Sequence, residues 1–302
     1  MTNRLVDLGY AAGWRLVRAL PESMAEALFR RAADATWRRG GRPVRQLAAN
    51  LARVIGGPPD DTMVRDALRS YARYWMEAFR LPSLDRQTVV DTFRLHGREL
   101  IAEHLDVGRG VVLALPHSGN WDHAGAWAVA QGWPLTTVAE RLRPESLFER
   151  FLAYRRSLGM EILPLTGGEQ PPFEVLADRV QAGAAVPLLA DRDLSARGVP
   201  VNFFGEPTRM PAGPAALAIR TGAPLFVATL WYEPGMTCGR IDPIEVAESG
   251  TEAERIAVTT QRIADTMAAR IAEHPVDWHM LQRLWLADLS EEPASSPAGA
   301  SR

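Results

Sequence analysis

The chain has 302 residues, a net charge of −2 and a hydrophobic fraction of 47%, enough to build one large domain with a substantial core. All 34 basic residues are arginine, which excludes mechanisms that need a lysine, such as Schiff-base formation or a Walker-type phosphate loop. The single cysteine, Cys238, excludes an internal disulfide and a cysteine-rich zinc site, and we expect no bound metal.

Residues 1–100 have a mainly helical pattern, and the first half of this segment is strongly basic. Residues 1–55 hold ten arginines against four acidic residues, a net charge of +6. Three aromatic side chains in this segment are candidate interfacial anchors: Tyr10, Trp14 and Trp37. A basic helix with an apolar face can rest on an anionic membrane surface, or it can pack on the protein's own core as an ordinary amphipathic helix.

The expected location follows from what the sequence lacks. No segment approaches the roughly 20 consecutive apolar residues that a membrane-spanning helix needs. The N-terminus lacks the uninterrupted apolar stretch of a signal peptide. We therefore expect a cytoplasmic protein, and without a recognisable nucleic-acid-binding motif we expect no nucleic-acid partner.

From about residue 107 the pattern changes to strands alternating with helices. The predicted strands are 111–115, 135–138, 161–163, 185–190 and 224–230, and the predicted helices lie near 121–131, 144–158, 172–182, 211–221 and 251–273. This alternation predicts an α/β fold with a largely parallel central sheet flanked by helices, preceded by an N-terminal helical lobe. Residues 291–302 are rich in Gly, Pro, Ala and Ser, which predicts a disordered tail.

The strongest candidate for a catalytic group is His117, which follows the apolar run 111–115. Pro116 ends the predicted strand, and Asn120 is the predicted N-cap of the next helix. His117 then lies in a loop and Asp122 in the first helical turn, where its carboxylate can orient the imidazole as a general base. The alternative is a loop histidine with a structural role and an ordinary first-turn acid.

Polar residues also follow two other predicted strands. Glu140 comes after the strand that ends at 138, and Asp191 opens a charged segment that contains Arg197. In parallel sheets, ligands bind at the carboxyl ends of strands, so these residues are further site candidates. The sequence contains no Gly-x-Ser-x-Gly elbow and no complete dinucleotide-binding loop, which counts against serine hydrolases and Rossmann enzymes.

Four sequence blocks in order resemble those of one known family. They are His117-Ser-Gly-Asn-Trp-Asp122, the segment from Asp191 to Gly205, Arg220-Thr-Gly-Ala-Pro224, and His274-Pro-Val-Asp-Trp278. The first resembles the His-x4-Asp/Glu block of the bacterial lipid A (lauroyl/myristoyl) acyltransferase superfamily, and the likeness covers roughly residues 110–285. The resemblance implies a glycerolipid acyltransferase-like fold and a single acyltransferase domain over 1–285, with 1–100 facing the membrane and 107–285 forming the catalytic core.

Within that superfamily the sequence most resembles the actinobacterial phosphatidylinositol mannoside acyltransferases. This resemblance implies transfer of a long acyl group, typically palmitoyl, from acyl-CoA to the 6-hydroxyl of the 2-linked mannose of phosphatidylinositol mannosides. It also implies a monotopic enzyme on the cytoplasmic face of the plasma membrane. Acyl-CoA would be a co-substrate, and no cofactor is expected.

Site roles are expected on the same basis. His117 would act as general base, oriented by Asp122, by Asp191 or by both. Backbone N–H groups at Ser118 and Gly119 would stabilise the oxyanion. The residues expected to contact substrate are Ser118, Asn120, Glu140, Arg155, Arg197 and Arg220, the arginines binding phosphates of coenzyme A and inositol. Alternatives are a lipid A-type or other glycolipid acyltransferase, an esterase using the same base, and a noncatalytic lipid-binding protein.

Overall fold

Helices form most of the first hundred residues. The computed structural model describes residues 13–140, 145–167, 170–193, 195 and 197–290, so Tyr10 and the predicted tail 291–302 lie outside the described part. The helices are α1 (13–19), α2 (Glu22–Arg39), α3 (Arg42–Ile55), α4 (Asp61–Arg80), a short 3-10 helix (Leu81–Ser83) and α5 (Arg86–Asp91). Local signals set these boundaries: Asp60 caps α4 by accepting the Met63 N–H, and Gly56 ends α3 in the left-handed conformation.

Strands and helices then alternate through the rest of the chain. The strands are β1 (Phe93–His96), β2 (Val111–Leu115), β3 (Thr136–Ala139), β4 (Glu161–Pro164), β5 (Ala185–Leu189), β6 (Val199–Phe203), β7 (Glu206–Met210), β8 (Leu225–Glu233) and β9 (Met236–Ile244). The helices are α6 (Arg98–Leu105), α7 (Trp121–Ala130), α8 (Glu145–Ser157), α9 (Pro172–Gln181), α10 (Gly213–Thr221), α11 (Glu252–Glu273), a 3-10 turn (Pro275–Asp277) and α12 (Leu286–Ser290).

The central sheet has the strand order β1-β9-β8-β2-β5. Three of its four neighbouring pairs are parallel, and only β8 and β9 run antiparallel. The parallel pair β3–β4 lies next to β5 through a parallel bridge between Leu135 and Ala185. Helices pack on both faces: α9, α10 and α11 share one apolar cluster with the sheet, and α5, α6 and α7 share the other. The predicted α/β architecture is confirmed.

Each of the five predicted strands and the five predicted helices beyond residue 107 has a counterpart within a few residues. The prediction missed β1 in the mainly helical segment, the β6–β7 hairpin and β9. These strands lie at an edge, outside the main sheet or antiparallel within it, so they lack the long apolar run of a strand buried between helices.

The helical lobe is joined to the α/β half of the chain by the segment after α11. The fully buried Asn50 of α3 donates hydrogen bonds from its amide to the carbonyls of Met280 (2.9 Å) and Gln282 (2.9 Å). Val276 and Leu281 pack against the apolar cluster formed by α2, α3 and α4. Among the described residues, no helix has both the length and the apolar character needed to cross a bilayer.

Candidate active site

Strand register brings His117 and Asp191 to the same edge of the sheet. Leu115, the last residue of β2, pairs with Leu189, the last residue of β5. Both strands run in the same direction, so the residue two positions beyond each strand leaves the sheet at the same point. The sequence separates these two residues by 74 positions, and adjacent parallel strands place them side by side.

The two side chains form a hydrogen-bonded pair. His117 Nδ1 lies 2.6 Å from Asp191 Oδ1, and the His117 backbone N–H donates to Asp191 Oδ2 at 2.9 Å. Asp191 is fully buried, whereas 28% of the His117 side chain remains exposed. Because a carboxylate accepts, Nδ1 carries the proton, and Nε2 makes no hydrogen bond to any described residue. Nε2 is therefore placed to accept a proton from a bound molecule.

Asp191 remains ionised despite its complete burial. Burial alone raises the pKa of this carboxyl, but the charge of His117 and hydrogen bonds from His117 and Trp278 more than offset it, so the pKa is lowered. A fixed negative charge next to Nδ1 stabilises the imidazolium that forms when Nε2 takes a proton. The pair has the arrangement of a general base with its orienting acid.

Asp122 does not contact His117, and the expectation that it orients the imidazole is wrong. Its Oδ1 accepts from Arg155 Nε at 2.7 Å, and its Oδ2 accepts from the Tyr74 hydroxyl at 3.0 Å. The first turn of α7 points this carboxylate towards α4 and α8, away from the loop. Of the two candidate partners for His117, the structure selects Asp191.

Arg155, expected to bind a substrate phosphate, is held by Asp122. Burial is the largest effect and lowers the pKa of this guanidinium, but the charge and hydrogen bond of Asp122, together with Tyr74 and Tyr154, outweigh it, so the pKa is raised. A phosphate would have to compete with a buried carboxylate for the same N–H groups. The structure gives Arg155 a packing role beside the site.

The loop from Pro116 to Asn120 is held by internal hydrogen bonds. The Ser118 N–H donates to the Pro116 carbonyl at 2.8 Å, and the Gly119 N–H donates to the Asp277 carbonyl at 3.0 Å. Both N–H groups expected to stabilise an oxyanion already have acceptors, so that expectation is wrong for this conformation. Gly119 has φ +54°, and a Cβ there would lie 2.7 Å from Leu230 Cβ, so this turn requires glycine.

Ser118 and Asn120 are buried, so neither is placed to touch a substrate. The Ser118 hydroxyl accepts the Leu230 N–H at 3.2 Å. Asn120 is the N-cap of α7, as predicted, because its side-chain oxygen accepts the His123 N–H at 2.9 Å, and its amide donates to Glu77 at 2.8 Å. Their expected substrate contacts are replaced by roles in shaping the loop.

The remaining predicted residues divide between the two edges of the sheet. Glu140 follows β3 and is exposed at the His117 edge, and Arg197 is exposed in the loop after β5. Arg220 lies near the start of β8, whose first residue, Leu225, pairs with Val112 at the start of β2. The amino ends of these strands form the opposite edge, so Arg220 is on the wrong side of the sheet to bind substrate at His117.

Sequence reasoning gave Trp278 no role in the site, yet the structure places it there. Its indole Nε1 donates to Asp191 Oδ2 at 2.8 Å. The neighbouring His279 donates its backbone N–H to the His117 carbonyl at 2.7 Å. The His-Pro-x-x-Trp block in the sequence was the available signal, because it belongs to the same set of blocks as His117 and Asp191.

The His279 ring lies in a buried polar cluster with two partners from different elements. Its Nε2 is 3.0 Å from the Ser70 hydroxyl, which donates to Asp277 Oδ1 at 2.6 Å. Burial, with a smaller effect from the charge of His117, lowers the pKa of His279 to about 3. The ring is therefore neutral at physiological pH.

We expect His279 to make the fold less stable in acid. Between pH 6.5, the usual pKa of histidine, and about pH 3, His279 binds a proton in the unfolded chain but not in the folded chain. The free energy of unfolding therefore falls by roughly 1.4 kcal/mol for each unit by which the pH is lowered. Burial raises the pKa of Asp277, which acts in the opposite direction. Denaturant unfolding of wild type and His279→Phe from pH 7 to pH 5 isolates this effect. The free energy of unfolding should fall less with decreasing pH in the variant than in wild type, and an equal fall in both proteins would contradict the prediction.

An apolar cavity of about 110 Å³ lies beside the site, between the sheet and the helices α7 and α8. Leu115, Trp121, Gly125 and Met160 are among its lining residues, and Asp122 and Arg155 stand at its border. The Trp121 ring lies 5.6 Å from the His117 ring, centroid to centroid. The cavity therefore extends from the neighbourhood of the base into the apolar interior.

Comparisons with known proteins give one family and a set of close relatives. The family model described as bacterial lipid A biosynthesis acyltransferase matches residues 1–287. The chain is 54% identical over 293 residues to a phosphatidylinositol mannoside acyltransferase of Mycolicibacterium smegmatis, covering 96% of this chain and 94% of the relative. It is 49% identical over 296 residues to the protein of the same name in Mycobacterium tuberculosis H37Rv, covering 96% and 92%.

Proposed function

This chain belongs to the bacterial lipid A biosynthesis acyltransferase family, and we propose that it transfers a palmitoyl group from acyl-CoA to the 6-hydroxyl of the 2-linked mannose of a phosphatidylinositol mannoside. The observation that carries the proposal is the His117–Asp191 pair, which leaves Nε2 as a proton acceptor beside an apolar cavity. The names of the mycobacterial relatives support the choice of acceptor.

The proposed reaction is a direct acyl transfer. His117 Nε2 removes the proton from the sugar hydroxyl as its oxygen attacks the thioester carbon. An oxygen–carbon bond forms, the carbon–sulfur bond breaks, and the imidazolium returns its proton to the departing thiolate of coenzyme A. Asp191 stabilises the imidazolium between these two steps, and no covalent enzyme intermediate is needed.

The apolar cavity is the proposed site of the acyl chain. Its lining is predominantly aliphatic and aromatic, and burying acyl methylene groups there is favourable by about 0.8 kcal/mol each. A chain that enters past Trp121 would place its thioester near His117, since Trp121 contacts both the cavity and the histidine. This arrangement supports a fatty acyl donor.

Narrowing the cavity is expected to change the preferred acyl length. A Cβ added at Gly125 would lie 2.6 Å from the Met160 methyl group, so Gly125→Val pushes side-chain volume into the cavity. We expect kcat/KM for palmitoyl-CoA to fall about tenfold while that for octanoyl-CoA changes less, because one or two lost methylene contacts cost 1–2 kcal/mol. Ala130→Val at the end of the same helix is the control, and equal losses for both donors would contradict the assignment.

The N-terminal helices are proposed to contact the membrane. Leu16, Met24 and Leu28 are 57%, 56% and 47% exposed, and they lie in the basic N-terminal segment. Arg31 and Arg38 continue the stripe of Met24 and Leu28 along α2 and are exposed. We define these five residues as the basic–apolar surface, and its composition suits an anionic bilayer on the cytoplasmic side.

Two of the candidate aromatic anchors do not belong to this surface. Trp14 packs against Phe79 and Phe151, and its indole donates to the Phe79 carbonyl at 3.0 Å. The Trp37 ring packs on the cluster of the helical lobe, under the Arg65 guanidinium. Both rings pack within the protein, so the expectation that they anchor the protein in a membrane interface is not supported.

Charge reversal on the basic–apolar surface is expected to weaken membrane binding. The double variant Arg31→Glu/Arg38→Glu should lower co-sedimentation with vesicles of anionic phospholipid at least about tenfold, since each basic residue contributes about 1 kcal/mol near such a surface. Added salt should weaken wild-type binding in the same way. The control Arg109→Glu/Arg220→Glu makes the same charge change at the amino ends of β2 and β8, away from the basic–apolar surface. An equal loss of vesicle binding in both double variants would remove this surface from the proposal.

The acceptor is tested by offering the purified protein palmitoyl-CoA with either a mannosylated phosphatidylinositol or a lipid A precursor. Mass spectrometry of the products should find the mannoside acylated on mannose and the lipid A precursor unchanged. Acylation of the lipid A precursor alone would replace the proposed acceptor with the lipid A-type alternative. Acylation of neither acceptor, with intact lipid binding, would favour a noncatalytic lipid-binding protein.

A further inference from the structure

We propose that Trp278 is a positioning residue for acyl transfer. Its indole N–H fixes the orientation of the Asp191 carboxylate and weakens the stabilisation that this carboxylate gives to protonated His117. This inference rests on the proposed function of the His117–Asp191 pair. The Nε1–Oδ2 distance is 2.8 Å, and both side chains are fully buried, so water does not compete for this hydrogen bond.

The two carboxylate oxygens of Asp191 have separate tasks. Oδ2 accepts two N–H groups, one from Trp278 and one from the His117 backbone, whereas the donor to Oδ1 among the described residues is His117 Nδ1. Two donors on one oxygen set the rotation of the carboxylate about its Cβ–Cγ bond. That rotation aims Oδ1 at Nδ1 and therefore keeps Nε2 as the free proton acceptor.

The backbone around Trp278 is hydrogen-bonded to the loop that carries His117. Trp278 forms a bridge with Ser118, the Asp277 carbonyl accepts the Gly119 N–H, and the His279 N–H donates to the His117 carbonyl. Asp277 is in turn tied to α4 by the Ser70 hydroxyl. The indole and the imidazole are therefore held on one connected piece of backbone, as a positioning role requires.

Loss of the indole N–H should have a specific signature. A hydrogen bond to a carboxylate withdraws negative charge from it, so removing the bond leaves more charge facing the imidazolium. The protonated form of His117 is then favoured. As the pH is lowered, the unprotonated His117 that acts as base is therefore lost at a higher pH than in wild type. Among the described residues, the charge of His117 shifts the pKa of Asp191 and of His279, and the buried His279 ring stays neutral over the range concerned.

Trp278→Phe tests the proposal, with Trp285→Phe as a matched control. Trp285 is also fully buried and donates its indole N–H, at 3.0 Å, to the Phe203 carbonyl instead of Asp191. For Trp278→Phe we expect kcat to fall about tenfold with little change in KM, and the acid limb of kcat/KM to move up by about half a pH unit. Trp285→Phe should leave that limb in place. A limb that stays fixed in both variants, or moves equally in both, overturns the proposal.

A second measurement does not depend on activity. NMR spectra of protein labelled with 13C at the histidine rings follow the titration of each imidazole, and His117→Gln identifies the His117 signal. Its midpoint should rise in Trp278→Phe and not in Trp285→Phe. If this NMR difference between the variants is seen but wild type transfers no acyl group, the proposed function fails and the positioning role stands. If wild type transfers the acyl group and the NMR difference is absent, the proposed function stands and the positioning role fails.

Should Trp278→Phe fail to fold, the wild-type protein carries the same test. With tryptophan labelled by 15N at the indole, one indole N–H signal should shift as His117 titrates and stop shifting in His117→Gln. The same signal should persist in Trp121→Phe, because the Trp121 ring also lies beside His117. If no indole signal follows His117, or if the one that does is lost in Trp121→Phe, the proposal is overturned.

Discussion

Replacing His117 with glutamine is expected to lower kcat for acyl transfer at least about a hundredfold, because a positioned general base contributes factors of 10² to 10⁴. Glutamine fills similar space and can still hydrogen-bond to Asp191, but it cannot accept a proton from an alcohol at neutral pH. The change should leave KM for both substrates within about threefold. Initial rates of mannoside acylation, measured at saturating palmitoyl-CoA, give the result.

His96→Gln provides the control for a histidine lost elsewhere. His96 ends β1 and is exposed, with its ring stacked on Trp231, far in the strand order from the β2–β5 pair. Its rates should match those of wild type. Activity of His117→Gln within tenfold of wild type would remove His117 as the base.

Asp191→Asn is expected to lower kcat by a factor on the order of 10³ without unfolding the protein. Two N–H groups point at the Oδ2 position, so the asparagine carbonyl must occupy it and the amide NH₂ must face His117 Nδ1. Nδ1 then accepts a hydrogen bond, and the proton moves to Nε2. The imidazole is held in the tautomer that cannot act as a base.

Asp122→Asn separates this effect from the loss of any buried carboxylate. Asp122 is 2% exposed and neutralises Arg155, so its replacement leaves a buried guanidinium without a counter-charge. We expect a loss of about 3 kcal/mol in the free energy of unfolding and a smaller loss of kcat than for Asp191→Asn. Paired denaturant unfolding and rate measurements on both variants decide the matter. A larger kcat loss in Asp122→Asn would return the orienting role to Asp122.

Much of the fold was predictable because the central strands are buried on both faces. Val111–Leu115 is a short apolar run that begins with two β-branched residues and is flanked by Gly110 and Pro116, and this combination favours a buried strand over a helix. β9 was missed because its sequence, Met236–Ile244, interrupts apolar residues with Gly239 and Arg240. An antiparallel strand that is partly solvated carries a weaker pattern.

The sequence left the partner of His117 open between two acids. The sequence blocks contained His117, Asp191 and Trp278, yet spacing along the chain favoured the nearby Asp122 as the partner of the histidine. The register between β2 and β5 decides the outcome, since Leu115 pairs with Leu189. Such a register depends on packing across the whole sheet, and no local pattern in the sequence encodes it.

Arginine roles were the least predictable part of the site. An arginine in a sequence block can bind a phosphate or neutralise a buried carboxylate, and both uses need the same guanidinium. Arg155 pairs with Asp122, and Arg220 lies at the far edge of the sheet, 3.6 Å from Glu174. Arg197 remains the proposed contact for an anionic substrate group, and Glu140 remains the proposed contact for sugar hydroxyls.

The release of coenzyme A with and without glycolipid tests most directly whether His117 activates a sugar hydroxyl. We predict that wild type releases one coenzyme A for each acylated mannoside, that release without the mannoside is at least tenfold slower, and that His117→Gln loses at least about a hundredfold of the transfer. Equal release of coenzyme A whether or not the mannoside is present would show that water is the acceptor. That result would contradict acyl transfer and favour a thioesterase using the same histidine.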